Sequence, residues 1–409
     1  MASNNENAPA WTVKQKEIDD FINRIAKRRA SAAFIQGPHG SGKSTTMVVH
    51  ILALLQTKLP GARLVYLMPT LVEGELLRNY LTSDEFNAQL PASIWESSLP
   101  SGSLDVQSYK SALQSFRESR TFQFFKTGAV VLVDLEINPT ADGEMLLGHI
   151  LESADSSRAE GPGCAVITVS TFESARTEAA MDRVMGRKPT VIRIPQTLPV
   201  DPIDRMPEPW RDYAKGLVSN ANAAQGRGEI PERVMIGQSL FGEVHDELYL
   251  IERSSMHEEE TLAVIQQNPE VVLTASDMCV SLRWLGLRHF VSDGLVKCQM
   301  FDRKTSQIVS LTRRMTKTEI SVQQSWLLKS DRPREDTIFH TTYDDFDRRL
   351  LGSDPAGEAY GGDFTLDGLE LDPRVAVNLA RRPTRQTATR HSRHDRSHAS
   401  SVCPPLHQE

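Results

Sequence analysis

The glycine-rich segment at residues 37–44 constrains the fold of this chain more than any other feature of the sequence. It lies between an apolar run and a run that is compatible with a helix. Apolar residues lead into Gly37, four free positions follow, and Gly42, Lys43 and Ser44 complete the pattern G-x-x-x-x-G-K-[ST]. Residues 47–55 then favour a helix. A strand, a glycine-rich loop and a helix in this order are typical of a phosphate-binding P-loop. A glycine-rich turn that merely precedes a helix is the alternative, and the placement of both flanking elements disfavours it.

The residue types in this segment are those that phosphate binding requires. Glycines allow the backbone to turn so that successive N–H groups converge on phosphate oxygens, and the following helix directs the positive end of its dipole at the same anion. A P-loop lysine contacts the β- and γ-phosphates, and the next hydroxyl binds Mg²⁺. The sequence therefore predicts binding of ATP or another nucleoside triphosphate. The predicted phosphate-binding residues are Gly37, His39, Gly40, Ser41, Gly42, Lys43, Ser44 and Thr45.

A second phosphate-site element lies further along the chain. Residues 129–134 form a continuous apolar run that ends in Asp134, 90 residues beyond Ser44. An apolar strand ending in a carboxylate after a P-loop is typical of the element that holds Mg²⁺ in such proteins. We therefore predict that Ser44 and Asp134 form the Mg²⁺ site.

Composition and charge exclude several function classes. The formal net charge of −7 argues against a protein that coats nucleic acid generally, although residues 374–409 carry +5 and leave −12 on the rest. The four cysteines are scattered without C-x-x-C spacing, which favours a reducing compartment and no disulfide framework. The polar start lacks the apolar core of a secretory signal, and no apolar run approaches the roughly 20 residues that span a bilayer. An intracellular protein, nuclear or cytoplasmic and without membrane contact, is expected.

Apolar strands alternate with helical segments through most of the chain, which indicates parallel sheets covered on both faces. Trp284 and Trp326 are predicted to be core residues, and the proline-rich residues 195–209 to belong to a linker. The predicted strands are 31–36, 62–68, 129–134, 165–170, 190–194, 233–237, 271–273, 287–291 and 307–311. The predicted helices are 12–29, 47–55, 73–81, much of 105–125, 143–152, 243–252 and 258–267.

Several segments match one family in the right order, although most single matches are loose. Residues 130–137 are V-V-L-V-D-L-E-I and residues 144–148 are E-M-L-L-G, similar to a D-E-A-H strand and the helix with L-L-G that follows it. Residues 167–171 lie where that family has its S-A-T element. Further matches are 191–195, 199–201, 280–282, 286–288, 293–297 and 321–324. Over residues 12–335, the chain resembles a truncated, motif-degenerate DEAH-box RNA helicase of superfamily 2.

The resemblance implies two RecA-like P-loop NTPase domains with parallel sheets, and a nucleotide site in the cleft between them. It also implies Mg²⁺ and ATP, or another nucleoside triphosphate, as ligands and single-stranded RNA as a partner. Beyond the two domains, we expect no counterpart of the family's winged-helix, ratchet and OB-type domains among residues 1–409. A basic tail that is disordered by composition could contact a protein partner. The expected divisions are a flexible N-terminus 1–11, a first domain 12–194, a linker 195–228, a shortened second domain 229–345 and the tail 346–409.

The departures from the family pattern fall on catalytic positions. Leu135 replaces the glutamate that activates the attacking water, and the histidine of D-E-A-H falls at Ile137. The two arginine fingers of the last motif fall at Ser325 and Leu328. The P-R-R element, which supplies cations to the RNA backbone, is Pro-Thr-Leu at residues 69–71.

These replacements predict a loss of catalysis more than a loss of binding. A positioned base contributes about 10²–10⁴ in rate, and an arginine finger about 10³–10⁵. The phosphate loop, Lys43, Ser44 and Asp134 are retained. We therefore expect a helicase-like protein that binds Mg·ATP with weak or no hydrolysis and unwinding.

Two alternatives stay open from the sequence. In the first, the chain is an active ATP-dependent RNA helicase or NTPase in which Glu136 is the catalytic residue and Lys329 or Arg334 supplies the missing cation. In the second, the chain is a non-catalytic interaction protein whose P-loop only stabilises the fold. RNA-stimulated turnover would distinguish the first alternative, and absence of nucleotide-dependent stabilisation the second.

Overall fold

The computed structural model describes residues 9–27, 32–81, 104–119, 122–126, 129–136, 141–157, 164–171 and 175–195 in the first half of the chain. In the second half it describes 203–205, 215–217, 219–220, 223, 233–237, 249–251, 263–264, 267, 271–274, 284, 286–292, 294–302, 307–314, 317–328, 330 and 333–341. The predicted tail, most of the predicted linker, and the predicted motif residues 280–282 and 293 lie outside these ranges.

The first half alternates helices and strands as predicted. After a short 3-10 helix, Ala10–Lys14, the helices are α1 Gln15–Ala26, α2 Thr46–Lys58, α3 Leu71–Leu81, α4 Tyr109–Ser119, α5 Gln123–Lys126, α6 Ala141–Ser157 and α7 Ala175–Met185. The strands are β1 Ala32–Gln36, β2 Arg63–Met68, β3 Leu104–Ser108, β4 Ala129–Asp134, β5 Ala165–Ser170 and β6 Thr190–Arg193.

These six strands form one parallel sheet in the order β3-β2-β4-β5-β1-β6. Because successive side chains on a strand point to opposite faces, the buried residues of β4 divide between two apolar clusters. The first cluster contains Val130 and Leu132 with residues of α1, α2 and α3. The second contains Val131 and Val133 with residues of α4 to α7. The sheet is therefore covered on both faces, and the predicted α/β class is confirmed.

The strands of the second half are β7 Ile203–Arg205, β8 Arg233–Gly237, β9 Tyr249–Ile251, β10 Val271–Thr274, β11 Leu287–Ser292, β12 Leu295–Asp302, β13 Gln307–Arg314 and β14 Ile338–Thr341. Six of them form a further sheet in the order β7-β14-β11-β8-β10-β9, and all its pairings are parallel. Strands β12 and β13 form a separate antiparallel pair. Helix α8, Lys317–Leu327, packs on β11, and a 3-10 turn, Arg334–Asp336, precedes β14.

A third apolar cluster joins the two halves. It contains Trp284 and Trp326, both about 1% exposed, which confirms that these side chains are core residues. Val72 of α3 belongs to the same cluster, and Leu76 packs against it. One helix of the first half therefore contacts the core of the second.

Several elements differ from the sequence-based expectation. Residues 105–108, expected to be helical, belong to the edge strand β3, and residues 249–251 form β9 where a helix is expected. Residues 203–205 lie in the proline-rich segment yet pair with β14. Trp11, assigned to the flexible N-terminus, is 4% exposed and belongs to the first cluster. Within the described ranges, no helix is long and apolar enough to cross a membrane.

Candidate nucleotide-binding site

The glycine-rich loop lies at the carboxyl end of β1, where parallel α/β sheets place ligands. Gly40 and Gly42 have positive φ angles of 71° and 82°, a conformation that glycine adopts without a steric cost. A Cβ at Gly42 would lie 2.7 Å from Thr46 Oγ1. A Cβ at Gly37 would lie 2.7 Å from Cβ of Ile194. These glycines are therefore required by the close packing of the loop.

The loop is closed by its own backbone before α2 begins. The amide of Ser41 donates to the carbonyl of Pro38, and the amides of Thr45 and Met47 both donate to the carbonyl of Gly42. The amide of Gly37 donates to the carbonyl of Ser170 at the end of β5, at 3.0 Å. Among the other predicted phosphate-binding residues, His39 and Thr45 are half-buried and Gly40 is exposed at the tip.

Lys43 is buried in the loop. Its Nζ donates to the carbonyls of Gly37 at 2.6 Å and Pro38 at 2.7 Å, and to Ser41 Oγ at 3.1 Å. The ammonium group is thus held against the loop. A point charge with three donors in this place is suited to phosphate oxygens.

The predicted metal-site residues come together across the sheet. Ser44 Oγ donates to Asp134 Oδ2 at 3.3 Å, although the two residues are 90 positions apart. The strand β5 lies between β1 and β4, so this bond crosses its carboxyl end. A hydroxyl and a carboxylate fit Mg²⁺, which prefers hard oxygen ligands and is usually held by one or two protein groups together with substrate phosphates. The described residues contain no group of three or more His, Cys, Asp or Glu side chains that could hold a metal ion.

Two tyrosines that the sequence analysis did not single out also hold Asp134. The Tyr66 hydroxyl, from β2, donates to Asp134 Oδ2 at 2.8 Å. The Tyr109 hydroxyl, from the start of α4, donates to the backbone carbonyl of Asp134. Burial, and then the charge of Asp134, raises the pKa of Tyr66 well above its ordinary value, so this hydroxyl stays protonated. The sequence signal for this role was Tyr66 itself, because a tyrosine within the aliphatic run of β2 needs a hydrogen-bond partner for its hydroxyl.

Trp11 supports the loop from the N-terminal side. Its backbone amide donates to the carbonyl of Ser41 at 3.3 Å, and its Nε1 donates to Thr46 Oγ1 at 2.8 Å. The Trp11 ring packs 5.0 Å from that of His50, which bonds Asp19 of α1 at 2.7 Å. The N-terminal segment and α1 are therefore joined to the loop and to α2.

Leu135, where the resemblance places the catalytic glutamate, offers no carboxylate. The amide of Leu135 donates to the carbonyl of Val169 at 2.8 Å, and the Leu135 side chain packs against the second cluster. Glu136, the alternative catalytic residue, follows and is 9% exposed. Ile137, at the family's histidine position, lies outside the described residues.

Ser325 and Leu328, where the resemblance places the arginine fingers, lie at the end of α8. Ser325 is fully buried, and its hydroxyl donates to the carbonyl of Val322 in the same helix at 2.6 Å. Leu328 follows the last helical residue and is half-buried. Lys329, one of the two alternative cations, lies outside the described residues.

Residues 69–71, where the resemblance places P-R-R, lead into helix α3. The Thr70 amide donates to Glu73 Oε2 at 3.0 Å, and the Glu73 amide donates to Thr70 Oγ1 at 3.2 Å. This reciprocal pair is a capping box, which satisfies free donors at a helix N-terminus. Thr70 therefore has a structural role at the start of α3.

The comparisons with known proteins concern the fold. No family model and no curated protein matches the sequence. Among solved structures, the chain is similar to the crystal structure of Escherichia coli DEAH/RHA helicase HrpB, with a TM-score of 0.57 and 15% identity over 91% of this chain and 49% of that one. It is also similar to the E. coli DExH-box NTPase HrpB, with a TM-score of 0.52 and 15% identity over 92% of this chain and 48% of that one.

The chain thus spans about half the length of the solved structures to which it is similar. Its identity to them is low, so the likeness concerns the arrangement of strands and helices. The chain has an α/β fold similar to that of these two structures, with its glycine-rich loop, Lys43, Ser44 and Asp134 at the carboxyl edge of the first sheet.

Proposed function

We propose that this chain is a helicase-like protein that binds Mg·ATP, or another nucleoside triphosphate, with weak or no hydrolysis and unwinding. The observation that carries the proposal is the hydrogen bond between Ser44 and Asp134. It joins the end of the glycine-rich loop to the carboxylate of a distant strand, which is the pair of oxygen donors that a Mg·nucleotide site needs.

In this proposal the loop amides and Lys43 bind the phosphates. Lys43 already lies on the loop, so contact with a phosphate requires only that Nζ exchange its bonds to the carbonyls of Gly37 and Pro38. Ser44 and Asp134 would hold Mg²⁺, which would neutralise part of the negative charge of the phosphates.

Weak hydrolysis is expected because Leu135 and Ser325 occupy the positions where the resemblance places catalytic residues. Leu135 cannot accept a proton from water, and its side chain packs into the second cluster. Ser325 cannot supply a cation, and its hydroxyl is bound to its own helix. Since catalytic groups act as a unit, the two losses need not multiply, but each alone removes about 10²–10⁵ in rate.

The burial of Glu136 supports a second candidate function, an active NTPase that uses this carboxylate as its base. Glu136 lies two residues beyond Asp134 and is 9% exposed. Contact with single-stranded RNA is part of both candidates, because the chain resembles DEAH-box RNA helicases and one of the similar solved structures is a helicase. The uncharged Thr70 and Leu71 weaken the expected contact to the RNA backbone.

The binding test is a titration of purified protein with a fluorescent ATP analogue, with and without Mg²⁺. Lys43→Ala should abolish saturable binding, since it removes the buried ammonium group from the loop. Lys58→Ala is the matched control, because Lys58 is an exposed lysine in the last turn of α2. Binding that survives Lys43→Ala would contradict the proposed site and favour a P-loop with a structural role only.

The turnover test measures phosphate release from Mg·ATP with and without single-stranded RNA. We expect no release above the Lys43→Ala background. Release that rises with RNA, and is lost in both Lys43→Ala and Glu136→Gln, would instead establish the active NTPase.

A further inference from the structure

Tyr66 occupies an unusual place for a hydroxyl group. It lies in the middle of β2, in register with Leu132 of β4, and its ring belongs to the first apolar cluster beneath α2. The residue is fully buried. A hydroxyl in such surroundings is costly unless it is hydrogen-bonded, and here it donates to Asp134 Oδ2 at 2.8 Å.

The same carboxylate oxygen receives a second donor, Ser44 Oγ, at 3.3 Å. Asp134 is therefore anchored from β2 through Tyr66, from the glycine-rich loop through Ser44, and at its backbone carbonyl through Tyr109 of α4. Three elements therefore fix the half-buried Asp134, and two of them hold its carboxylate directly.

The chemistry of the two side-chain donors differs in one respect. Ser44 would itself bind the metal ion, so its bond to Asp134 belongs to the metal site. Tyr66 reaches Asp134 from within the core, and its hydroxyl donates to Oδ2 at 2.8 Å. It can orient the carboxylate without supplying a charge that would compete with Mg²⁺.

We propose that Tyr66 is a positioning residue for Mg²⁺. Its hydroxyl holds Asp134 against Ser44, and it sets how strongly nucleotide binding depends on the metal ion. The inference rests on the proposed function, since it concerns the same site. Partners that orient metal-binding groups typically contribute about 10- to 100-fold to metal affinity.

The test titrates Mg²⁺ at a fixed concentration of the fluorescent ATP analogue, and separately measures nucleotide affinity in EDTA. In Tyr66→Phe, the Mg²⁺ concentration for half-maximal binding should rise about tenfold, while the affinity in EDTA stays unchanged. Tyr80→Phe is the matched control, because it removes a tyrosine hydroxyl near the far end of α3. It should change neither quantity. Thermal unfolding of each variant identifies any general loss of stability.

A double-mutant cycle shows whether Tyr66 acts through Asp134. In an Asp134→Asn background, Tyr66→Phe should produce no further change in the Mg²⁺ requirement. An unchanged Mg²⁺ requirement in Tyr66→Phe overturns the inference. An equal loss of nucleotide affinity with and without Mg²⁺ also overturns it, because that result indicates a structural role for Tyr66. Wild-type protein whose nucleotide binding is absent or insensitive to Lys43→Ala overturns the proposed function and the inference with it.

Discussion

The pair of buried histidines in the second sheet makes the stability of the protein depend on pH. His289 of β11 and His340 of β14 lie with Nδ1 and Nε2 3.0 Å apart, and they are 6% and 2% exposed. Burial, and then the adjacent His289, lowers the pKa of His340 from its ordinary 6.5 to about 4. One ring nitrogen must donate and the other accept, so the bond requires that at least one ring be neutral.

The direction of the effect follows from proton binding in the two states. Between pH 6.5 and about 4, the unfolded chain binds a proton at this histidine and the folded chain does not. The free energy of unfolding therefore falls as pH falls through this window. One pKa unit corresponds to about 1.4 kcal/mol, so the loss from neutral pH to about pH 5 is roughly 2 kcal/mol and approaches about 3 kcal/mol at lower pH.

Urea unfolding of the wild type and of His340→Phe, at neutral pH and at about pH 5, measures this contribution. The wild type should lose roughly 2 kcal/mol more than the variant, since other titrating groups contribute to both. The difference in pH dependence between the two proteins therefore measures the contribution of His340 together with its contact to His289. Equal pH dependence in the two proteins would refute the assignment of a depressed pKa to this residue.

Three further predictions concern the first half of the chain. Gly42→Ala should destabilise the protein by about 1–2 kcal/mol in chemical unfolding from its positive φ alone, and the 2.7 Å approach to Thr46 Oγ1 should also prevent nucleotide binding. Thr70→Ala removes the capping box with Glu73 and should cost about 1 kcal/mol; an unchanged unfolding midpoint would mean that the cap contributes nothing. Trp11→Phe replaces the buried indole with a smaller aromatic ring and removes the bond to Thr46, and should lower stability by at least about 1 kcal/mol. A larger thermal shift with bound ATP in Trp11→Phe than in wild type would contradict a supporting role for Trp11.

The sequence-based predictions were accurate where an element is determined by its own residues, and wrong where it is determined by pairing with a distant strand. Strands β4 and β5 were predicted to the residue, because both are runs of mostly apolar side chains that the sheet buries. The edge strand β3 was assigned to a helix, because it pairs with β2 alone and carries polar residues. Its Asp105 bonds Gln107 at 2.8 Å and lies 3.4 Å from Arg63 of β2. Hydrophobic periodicity does not reveal such polar contacts, whether they are made within the strand, as with Gln107, or to another strand, as with Arg63.

By itself, the sequence determined the α/β class, the glycine-rich loop and the carboxylate at the end of β4. Each depends on neighbouring residues, through backbone conformations open to glycine or through strand hydrophobicity. Only the tertiary structure decided which groups meet at Asp134. Strand order brings Tyr66 to it from 68 positions away and Ser44 from 90, and side-chain contacts over such separations depend on how strands pair and helices pack rather than on any local pattern.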